Sequence, residues 1–317
     1  MNDSITEATP FDLEPTFLYP VVTCYLVISL VAFVGNLSVC YAILADRKLR
    51  DNPTKLLLLS LAISDLLTVT IVVPFDIESL LLHGLWKHGE AFCISWLTVY
   101  LITVSSSILT LLAISVDRYN TLRDPLARFR RSHFMTKKRA VTISLLIWIY
   151  CILWSLLPTI GWRDGTIEPI LKGACVIPYT KVYHMLSSLL NFILPLLVTC
   201  LFYILIYRIA RNHGTKGNNG ASSPSTKQTT KEGRKIYLKN IKAAKTTSMF
   251  VLAIFFCWQP YAYFSMVVTL GALNPISYEV FLVLLMLGYL NSALNPFLFT
   301  FQNKHFKAVL LKPFSLF

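Results

Sequence analysis

The sequence predicts an all-α integral membrane protein: a seven-transmembrane helix bundle with a short amphipathic eighth helix. Three observations support this prediction, namely an apolar composition, seven long apolar runs, and positive charge concentrated in alternate loops. Of the 317 residues, 55% are hydrophobic and only 14% are charged, whereas about a quarter of the residues in a soluble domain are charged. A chain of this composition requires an apolar solvent, which a bilayer provides.

The seven apolar runs have the length that a bilayer demands, because about 20 apolar residues are needed to cross roughly 30 Å of hydrocarbon. In lipid these runs must be helical, since every backbone polar group needs an internal partner. The alternation with period two that builds membrane barrels is absent from the sequence. The runs cover residues 17–45, 55–82, 92–117, 139–162, 181–207, 243–270 and 278–302.

The charges of the loops orient the bundle. Of the 29 Lys and Arg residues, 25 follow the first, third, fifth or seventh run. This bias predicts that these loops are cytoplasmic and that the amino terminus is extracellular. It also explains the net charge of +13 better than binding to nucleic acid does.

The predicted organisation follows from this topology. Residues 1–16 form an extracellular tail, in which Asn2-Asp3-Ser4 is a glycosylation sequon. Residues 17–302 form the transmembrane domain, and residues 303–317 form a cytoplasmic amphipathic helix and tail. In that last segment the spacing of Phe306, Val309 and Leu310 predicts a helix along the inner leaflet.

Polar side chains within the apolar runs are candidates for function, because burying them in lipid is costly. Asp65 lies near the middle of the second run. With oxygen-bearing side chains on other runs it is expected to hold a hydrated sodium ion, since hard cations prefer oxygen ligands. A protonated Asp65 within a hydrogen-bond network is the alternative. The candidate partners are Ser107, Asn291, Ser292 and Asn295.

A series of motifs resembles the rhodopsin-like (class A) G-protein-coupled receptor family over residues 20–310. Each motif alone is weak evidence, but all of them occur in the right order and on the right runs. They are Gly35-Asn36, Leu61-Ala62-x-x-Asp65, Asp117-Arg118-Tyr119, Trp148, Pro195, Cys257-Trp258-Gln259-Pro260 and Asn295-Pro296-x-x-Phe299.

This resemblance implies a coupling site at the cytoplasmic end of the bundle. Arg118 is implied to contact a heterotrimeric G protein, with Asp117 as its local partner, and Tyr203 is implied to stabilise the open state. Arrestin is a second candidate partner. The other residues implied in coupling and activation are Tyr119, Leu126, Pro260, Pro296 and Phe299, the last replacing the family's usual tyrosine.

The resemblance also implies a disulfide between Cys93 and Cys175 and a ligand pocket at the outer end. Helical spacing places several polar and aromatic side chains on stripes that converge there. Helix packing would explain any one of these residues alone, but convergence from several runs favours a pocket. The candidate ligand-binding residues are Asp76, Tyr100, Val104, Ser187, Ser188, Asn191, Trp258, Tyr261, Ser265 and Tyr289.

Two departures from the family narrow the choice of ligand. The chain is similar to amine receptors, but Tyr100 stands where they carry the aspartate that binds the ammonium group. We hypothesise that a cationic ligand pairs with Asp76 or Glu78 instead; the alternative is that both carboxylates are solvated at the membrane edge. Tyr289 stands where opsins carry the lysine for retinal, so a retinal Schiff base is excluded, and no cofactor is expected to be required.

The predicted function is that of a plasma-membrane receptor that binds a small molecule or short peptide and activates G proteins. No cluster of catalytic residues at plausible spacing is found, so an enzyme is not expected. A transporter or channel is an alternative, although the internal repeats of transporters are absent from the sequence. A receptor-like protein that does not couple is a second alternative, which the intact Asp117-Arg118-Tyr119 motif disfavours.

Overall fold

The computed structural model describes residues 13–123, 134–166, 168–176, 179–216, 255–268, 278–302, 306 and 308–309, without the side chains of 210–216 and 298–302. Six helices in these ranges are long and apolar enough to cross a membrane. The sixth predicted run is described over residues 255–268, which are helical. With them the chain forms the seven-helix bundle that the sequence predicts, and residues 306, 308 and 309 are also helical.

We number the spans in chain order. Span six comprises the described helical residues 255–268. The other spans are Pro15–Ala45 (one), Pro53–Leu81 (two), Gly89–Arg123 (three), Lys137–Ile160 (four), Lys181–Lys216 (five) and Tyr278–Gln302 (seven).

Short elements connect the spans on both sides. A single helical turn, Arg47–Arg50, joins spans one and two, and the carboxylate of Asp46 caps it by accepting a hydrogen bond from the backbone N–H of Leu49. Between spans four and five, strands β1 (Ile170–Leu171) and β2 (Ala174–Cys175) pair antiparallel, with Ile170 opposite Cys175.

Spans two and five each contain a π-helical turn just before a proline. In span two the turn is Thr68–Val72, followed by Pro74, and in span five it is Leu189–Ile193, followed by Pro195. A proline offers no N–H and crowds the carbonyl four residues earlier, which lies within the π turn in both cases. The wider turn therefore accommodates the proline, and it changes the direction of one part of each span relative to the other.

Spans one and seven pack closely because Gly35 has no side chain. A Cβ atom at Gly35 would lie 2.6 Å from Cγ of Pro296. Next to this contact, Nδ2 of Asn36 donates hydrogen bonds to the carbonyl oxygens of Ala32 and Ser292. Leucines such as Leu30 and Leu153 are more than half exposed on the outside of the bundle, where lipid would cover them.

Candidate functional site

A cavity of about 570 Å³ opens at the end of the bundle where spans three, five and seven begin. Spans two, three, five, six and seven line it together with strand β2 and the residues next to that strand. Enclosure by several helices, with apolar walls and a few polar groups, is typical of a small-molecule site. The structure brings five of the ten predicted ligand-binding residues to this cavity: Asp76, Tyr100, Tyr261, Ser265 and Tyr289.

The other five predicted ligand-binding residues are absent from the cavity wall. In span five, the hydroxyl of Ser187 accepts hydrogen bonds from Nε1 of Trp154 on span four and from Nδ2 of Asn191. The hydroxyl of Ser187 is therefore used in contacts with span four and within span five. Ser188, Val104 and Trp258 are also buried, and none of the three lines the cavity.

Sequence reasoning missed several residues that line the cavity. Nε2 of His184 in span five and the hydroxyl of Ser265 in span six lie 2.9 Å apart and form a hydrogen bond between the two spans. The signal for His184 was present, because it is the one histidine in the fifth apolar run. The aromatic lining residues Trp96, Tyr179, Tyr278 and Phe281 gave no signal that separates them from packing residues.

Asp76 of span two forms a hydrogen bond across the cavity wall to span seven. The hydroxyl of Tyr289 donates to Oδ2 of Asp76 at 2.6 Å. The ring of Tyr289 is held in turn by Tyr25 of span one, whose ring lies edge-on at a centroid distance of 5.7 Å. Three spans therefore fix the position of this carboxylate.

The second acidic residue of this segment, Glu78, points elsewhere. Its Oε2 lies 2.8 Å from Nε2 of His88 in the loop between spans two and three. Both side chains are more than a third exposed, and Glu78 does not line the cavity. Of the two carboxylates considered from the sequence, the structure places only Asp76 where a ligand in this cavity would meet it.

Trp258 lies beside the cavity-lining Tyr261, with ring centroids 6.0 Å apart. The indole packs directly on Gly288 of span seven, where a Cβ atom would lie 2.7 Å from the ring. It also meets the ring of Phe192 in span five edge-on. Trp258 thus connects the cavity wall to spans five and seven.

Asp65 is almost completely buried within the bundle. Its carboxylate accepts hydrogen bonds from the hydroxyl of Ser292 at 2.8 Å and from Nδ2 of Asn295 at 2.7 Å. The hydroxyl of Ser107 lies 2.8 Å from that of Ser64. The buried amide oxygens of Asn291 and Asn295 accept no hydrogen bond from a described residue. These oxygen atoms, with one carboxylate, fit a hard cation such as sodium.

At the opposite end of the bundle, Asp117 and Arg118, which the resemblance implies are local partners, form no ion pair. Oδ2 of Asp117 instead accepts a hydrogen bond from the hydroxyl of Thr54 in span two at 2.6 Å. The reason is that neighbouring residues on a helix point in different directions. Nε of Arg118 is buried and donates to no described residue, so the guanidinium is not tied to a carboxylate in the described part of the chain.

The other residues predicted to act in coupling lie on several spans, and each makes different contacts. Tyr203 is buried next to Leu122 and Ile206, and its hydroxyl lies 3.4 Å from that of Ser115 on span three. Tyr119 packs against the ring of Phe202. Pro260 lies within span six, and Pro296 meets Gly35. Asn2, Leu126 and the side chain of Phe299 lie outside the described residues.

The predicted disulfide between Cys93 and Cys175 is present, with the two Cα atoms 5.7 Å apart. It joins the start of span three to strand β2. Because Cys175 and its neighbours Ala174 and Val176 line the cavity, the bridge fixes part of the cavity wall.

Comparison with known proteins places these features in one family. Residues 35–299 match the family described as 7 transmembrane receptor (rhodopsin family). The chain is 32% identical to the histamine H2 receptor of Homo sapiens over 95% of its own length and 81% of that receptor. It is 31% identical to the 5-hydroxytryptamine receptor 4 of Rattus norvegicus, over 91% and 74% of the two chains. The alpha-1D adrenergic receptor of Sus scrofa is 31% identical over 89% of this chain and 54% of that receptor.

Proposed function

The chain belongs to the rhodopsin family of seven-transmembrane receptors, and from this membership we propose how it acts. A small extracellular ligand binds in the outer cavity, and this binding causes Arg118 at the other end of the bundle to couple to a heterotrimeric G protein. The observation that carries this proposal is the position of the cavity relative to Arg118. Tyr100 lines the cavity, and Arg118 lies 18 residues later on the same helix, about 27 Å away at 1.5 Å per residue. Span three therefore links the two sites.

The proposed route from ligand to coupling site runs through Trp258. A ligand that displaces Tyr261 acts on the neighbouring indole, which contacts Phe192 and Gly288. Pro260 offers no N–H to the carbonyl of Phe256, so span six can bend at this point. A bend at this point would be transmitted towards the end of the bundle where Arg118 lies, and no described carboxylate forms an ion pair with Arg118 there.

The proposed orientation puts the amino terminus outside the cell. Span one begins at Pro15, and near this end the hydroxyl of Tyr25 donates a hydrogen bond to the carbonyl oxygen of Leu282, which lines the outer cavity. The disulfide lies at the same end, and disulfides persist on the oxidising side of a membrane. A glycan on Asn2 is part of this proposal.

We include a sodium ion at Asp65 in the proposal. The residues that would hold it are Asp65, Ser107 and the asparagines of span seven, and a bound cation would supply the positive charge that the buried carboxylate lacks in the described part of the chain. Asn295 and Ser292 orient the carboxylate by their hydrogen bonds. Because these two residues belong to span seven and Asp65 to span two, the site holds the two spans together.

A ligand screen with nucleotide exchange as its readout tests the proposed function. Membranes carrying the receptor and a G protein should exchange nucleotide when a small ligand is added, and Arg118→Ala should abolish this response while surface expression is kept. Uptake of the added compound without nucleotide exchange would indicate a transporter and contradict the proposal. Antibodies to terminal epitopes on intact cells check the orientation, since labelling of the carboxyl terminus would overturn it.

The identity of the relatives supports a small ligand over a peptide. Two of the relatives are named as receptors for histamine and for 5-hydroxytryptamine, both of which are small molecules. A cavity of about 570 Å³ also lies within the range of small-molecule sites.

A further inference from the structure

We propose that the ligand carries a protonated amine and that Asp76 of span two is its counter-ion. On span three the residue at the position of the amine receptors' aspartate is Tyr100, which carries no charge. This inference rests on the proposed function and names the class of ligand that the same cavity binds. Among the described lining residues, Asp76 is the single carboxylate, and Lys and Arg are absent. The electrostatic field in the cavity therefore favours a cation.

The shape of span two brings Asp76 to the cavity. The π turn Thr68–Val72 and Pro74 separate the outer helix Val73–Leu81 from the inner helix that carries Asp65. The two carboxylates consequently have different surroundings. Asp65 lies buried among polar side chains, whereas Asp76 is partly exposed at the cavity wall.

Tyr289 determines which carboxylate oxygen of Asp76 remains for the ligand. Its hydroxyl donates to Oδ2 of Asp76 at 2.6 Å, whereas Oδ1 accepts no hydrogen bond from a described residue. A single accepting oxygen suits one N–H of an ammonium group. A guanidinium binds best to two parallel oxygens, and one of these already accepts a hydrogen bond from Tyr289. A quaternary ammonium has no N–H to donate. The geometry thus favours primary, secondary and tertiary amines over both.

The rest of the cavity defines the body of the ligand. Aromatic side chains from several elements surround the space, and their ring faces attract a cation and pack against apolar groups. On the walls contributed by spans six and seven, Phe264, Val268 and Leu285 are apolar. An amine on an aromatic or apolar body therefore fits better than a ligand charged at both ends. The aromatic side chains are Trp96, Tyr100, Tyr179, Tyr261, Phe264, Tyr278, Phe281 and Tyr289.

Glu78 provides a matched control within the same helix. It is two residues from Asp76 and carries the same charge, but its carboxylate is bonded to His88 outside the cavity. If the cavity attracted a cation only through long-range electrostatics, removing the charge of Asp76 or that of Glu78 would weaken binding equally. Direct pairing in the cavity depends on Asp76 alone.

The test measures binding of probes that differ only in the charged group. The probes are phenethylamine, its guanidine and trimethylammonium analogues and phenethyl alcohol, together with the same sets built on imidazole and indole rings. Binding is read from the thermal unfolding midpoint of the full-length receptor in detergent, so that it does not depend on coupling. We expect amines to raise the midpoint, the guanidines and trimethylammonium compounds to act more weakly, and the neutral alcohols to have no effect.

Two variants assign the effect to a residue. Asp76→Asn keeps an oxygen that can accept the hydrogen bond of Tyr289, so the fold should be preserved, which the midpoint without probe checks. This variant should weaken amine binding by at least about 30-fold, the cost of leaving a charge unpaired in a buried site. Glu78→Gln should change it by no more than about twofold, as for an exposed ion pair.

The outcomes separate this inference from the proposed function. Equal binding of amines and alcohols, equal losses in both variants, or failure of every amine to bind would overturn the assignment of Asp76. Nucleotide exchange that depends on Arg118 with a neutral ligand would then leave the proposed function intact. Absence of such exchange with any compound would contradict the proposed function, even if amines bind at Asp76.

Discussion

Nδ2 of Asn36 in span one donates a hydrogen bond to the carbonyl oxygen of Ser292 in span seven, at a distance of 3.0 Å. This carbonyl lies four residues before Pro296, which has no N–H to offer it. Asn36 therefore supplies from a neighbouring helix the donor that span seven lacks. In lipid, where water cannot take this place, the bond explains why an asparagine lies at this depth in span one.

Replacing Asn36 with Ala should lower the free energy of unfolding by about 1–3 kcal/mol, because a buried carbonyl loses its donor. The cost should be smaller when Pro296→Ala is also present, since that substitution restores a backbone N–H for the carbonyl of Ser292. A double-mutant cycle in mixed detergent micelles measures this coupling. Additive effects of the two substitutions would contradict the explanation.

Gly35→Ala should destabilise the bundle by about 1–3 kcal/mol through overpacking. The added methyl group would lie 2.6 Å from Cγ of Pro296, so spans one and seven must move apart. Gly165→Ala is the control, because nothing lies within 4 Å of a Cβ atom at that loop position. Thermal unfolding of the purified variants should show a loss for the first substitution and little change for the second.

Gly288→Ala should force the indole of Trp258 out of its place, because a Cβ atom there would lie 2.7 Å from the ring. We expect a lower unfolding midpoint and altered nucleotide exchange without ligand. In the Trp258→Phe background the smaller ring leaves room, so the same substitution should cost less. An equal loss of stability in both backgrounds would show that the contact is unimportant.

Sodium chloride should stabilise the receptor more than choline chloride at equal ionic strength, because the oxygen atoms around Asp65 suit a small cation. Asp65→Asn should remove this difference. Asp51→Asn, which changes an exposed carboxylate, should retain it. Equal midpoints in the two salts for the unsubstituted protein would favour the alternative, a protonated Asp65 within a hydrogen-bond network.

The exposed pair between Lys137 and Asp51 should make a small contribution to stability that depends on pH. Nζ of Lys137 lies 2.7 Å from Oδ1 of Asp51, and this hydrogen bond lowers the pKa of Asp51 below its ordinary value of 3.8. Because the pKa is lower in the folded state, the contribution is present above the ordinary value and is lost as the pH falls through the folded value. The stability difference between the unsubstituted protein and Asp51→Asn should therefore disappear on acidification, and high salt should reduce it at neutral pH. A difference that persists in acid would contradict this account.

The sequence was sufficient to predict the bundle, because each span is set by a long apolar run. The observed span Pro15–Ala45 differs by two residues at one end from the predicted 17–45, and Tyr278–Gln302 coincides with 278–302. Polar residues inside these runs were informative for a related reason: lipid leaves them few partners. Asp65 accordingly lies within hydrogen-bonding distance of Ser292 and Asn295, two of its four candidate partners.

Regular helical spacing did not predict correctly which residues of span five face the cavity. That spacing directs Ser187, Ser188 and Asn191 towards the cavity, but the π turn Leu189–Ile193 interrupts the regular helix. Trp154, on another span, then provides Ser187 with a partner between helices. Neither the extra residue in the turn nor this contact between distant residues leaves a pattern in the local sequence.

The bridge between Cys93 and Cys175 also bears on the time that a ligand stays bound. Strand β2 is part of the boundary between the binding chamber and the exterior, and a covalent tether prevents it from swinging aside. Movement of this part of the wall therefore cannot widen the opening through which a ligand leaves. A mild reductant applied from outside would shorten the dwell time of a ligand, and with it the duration of each signal.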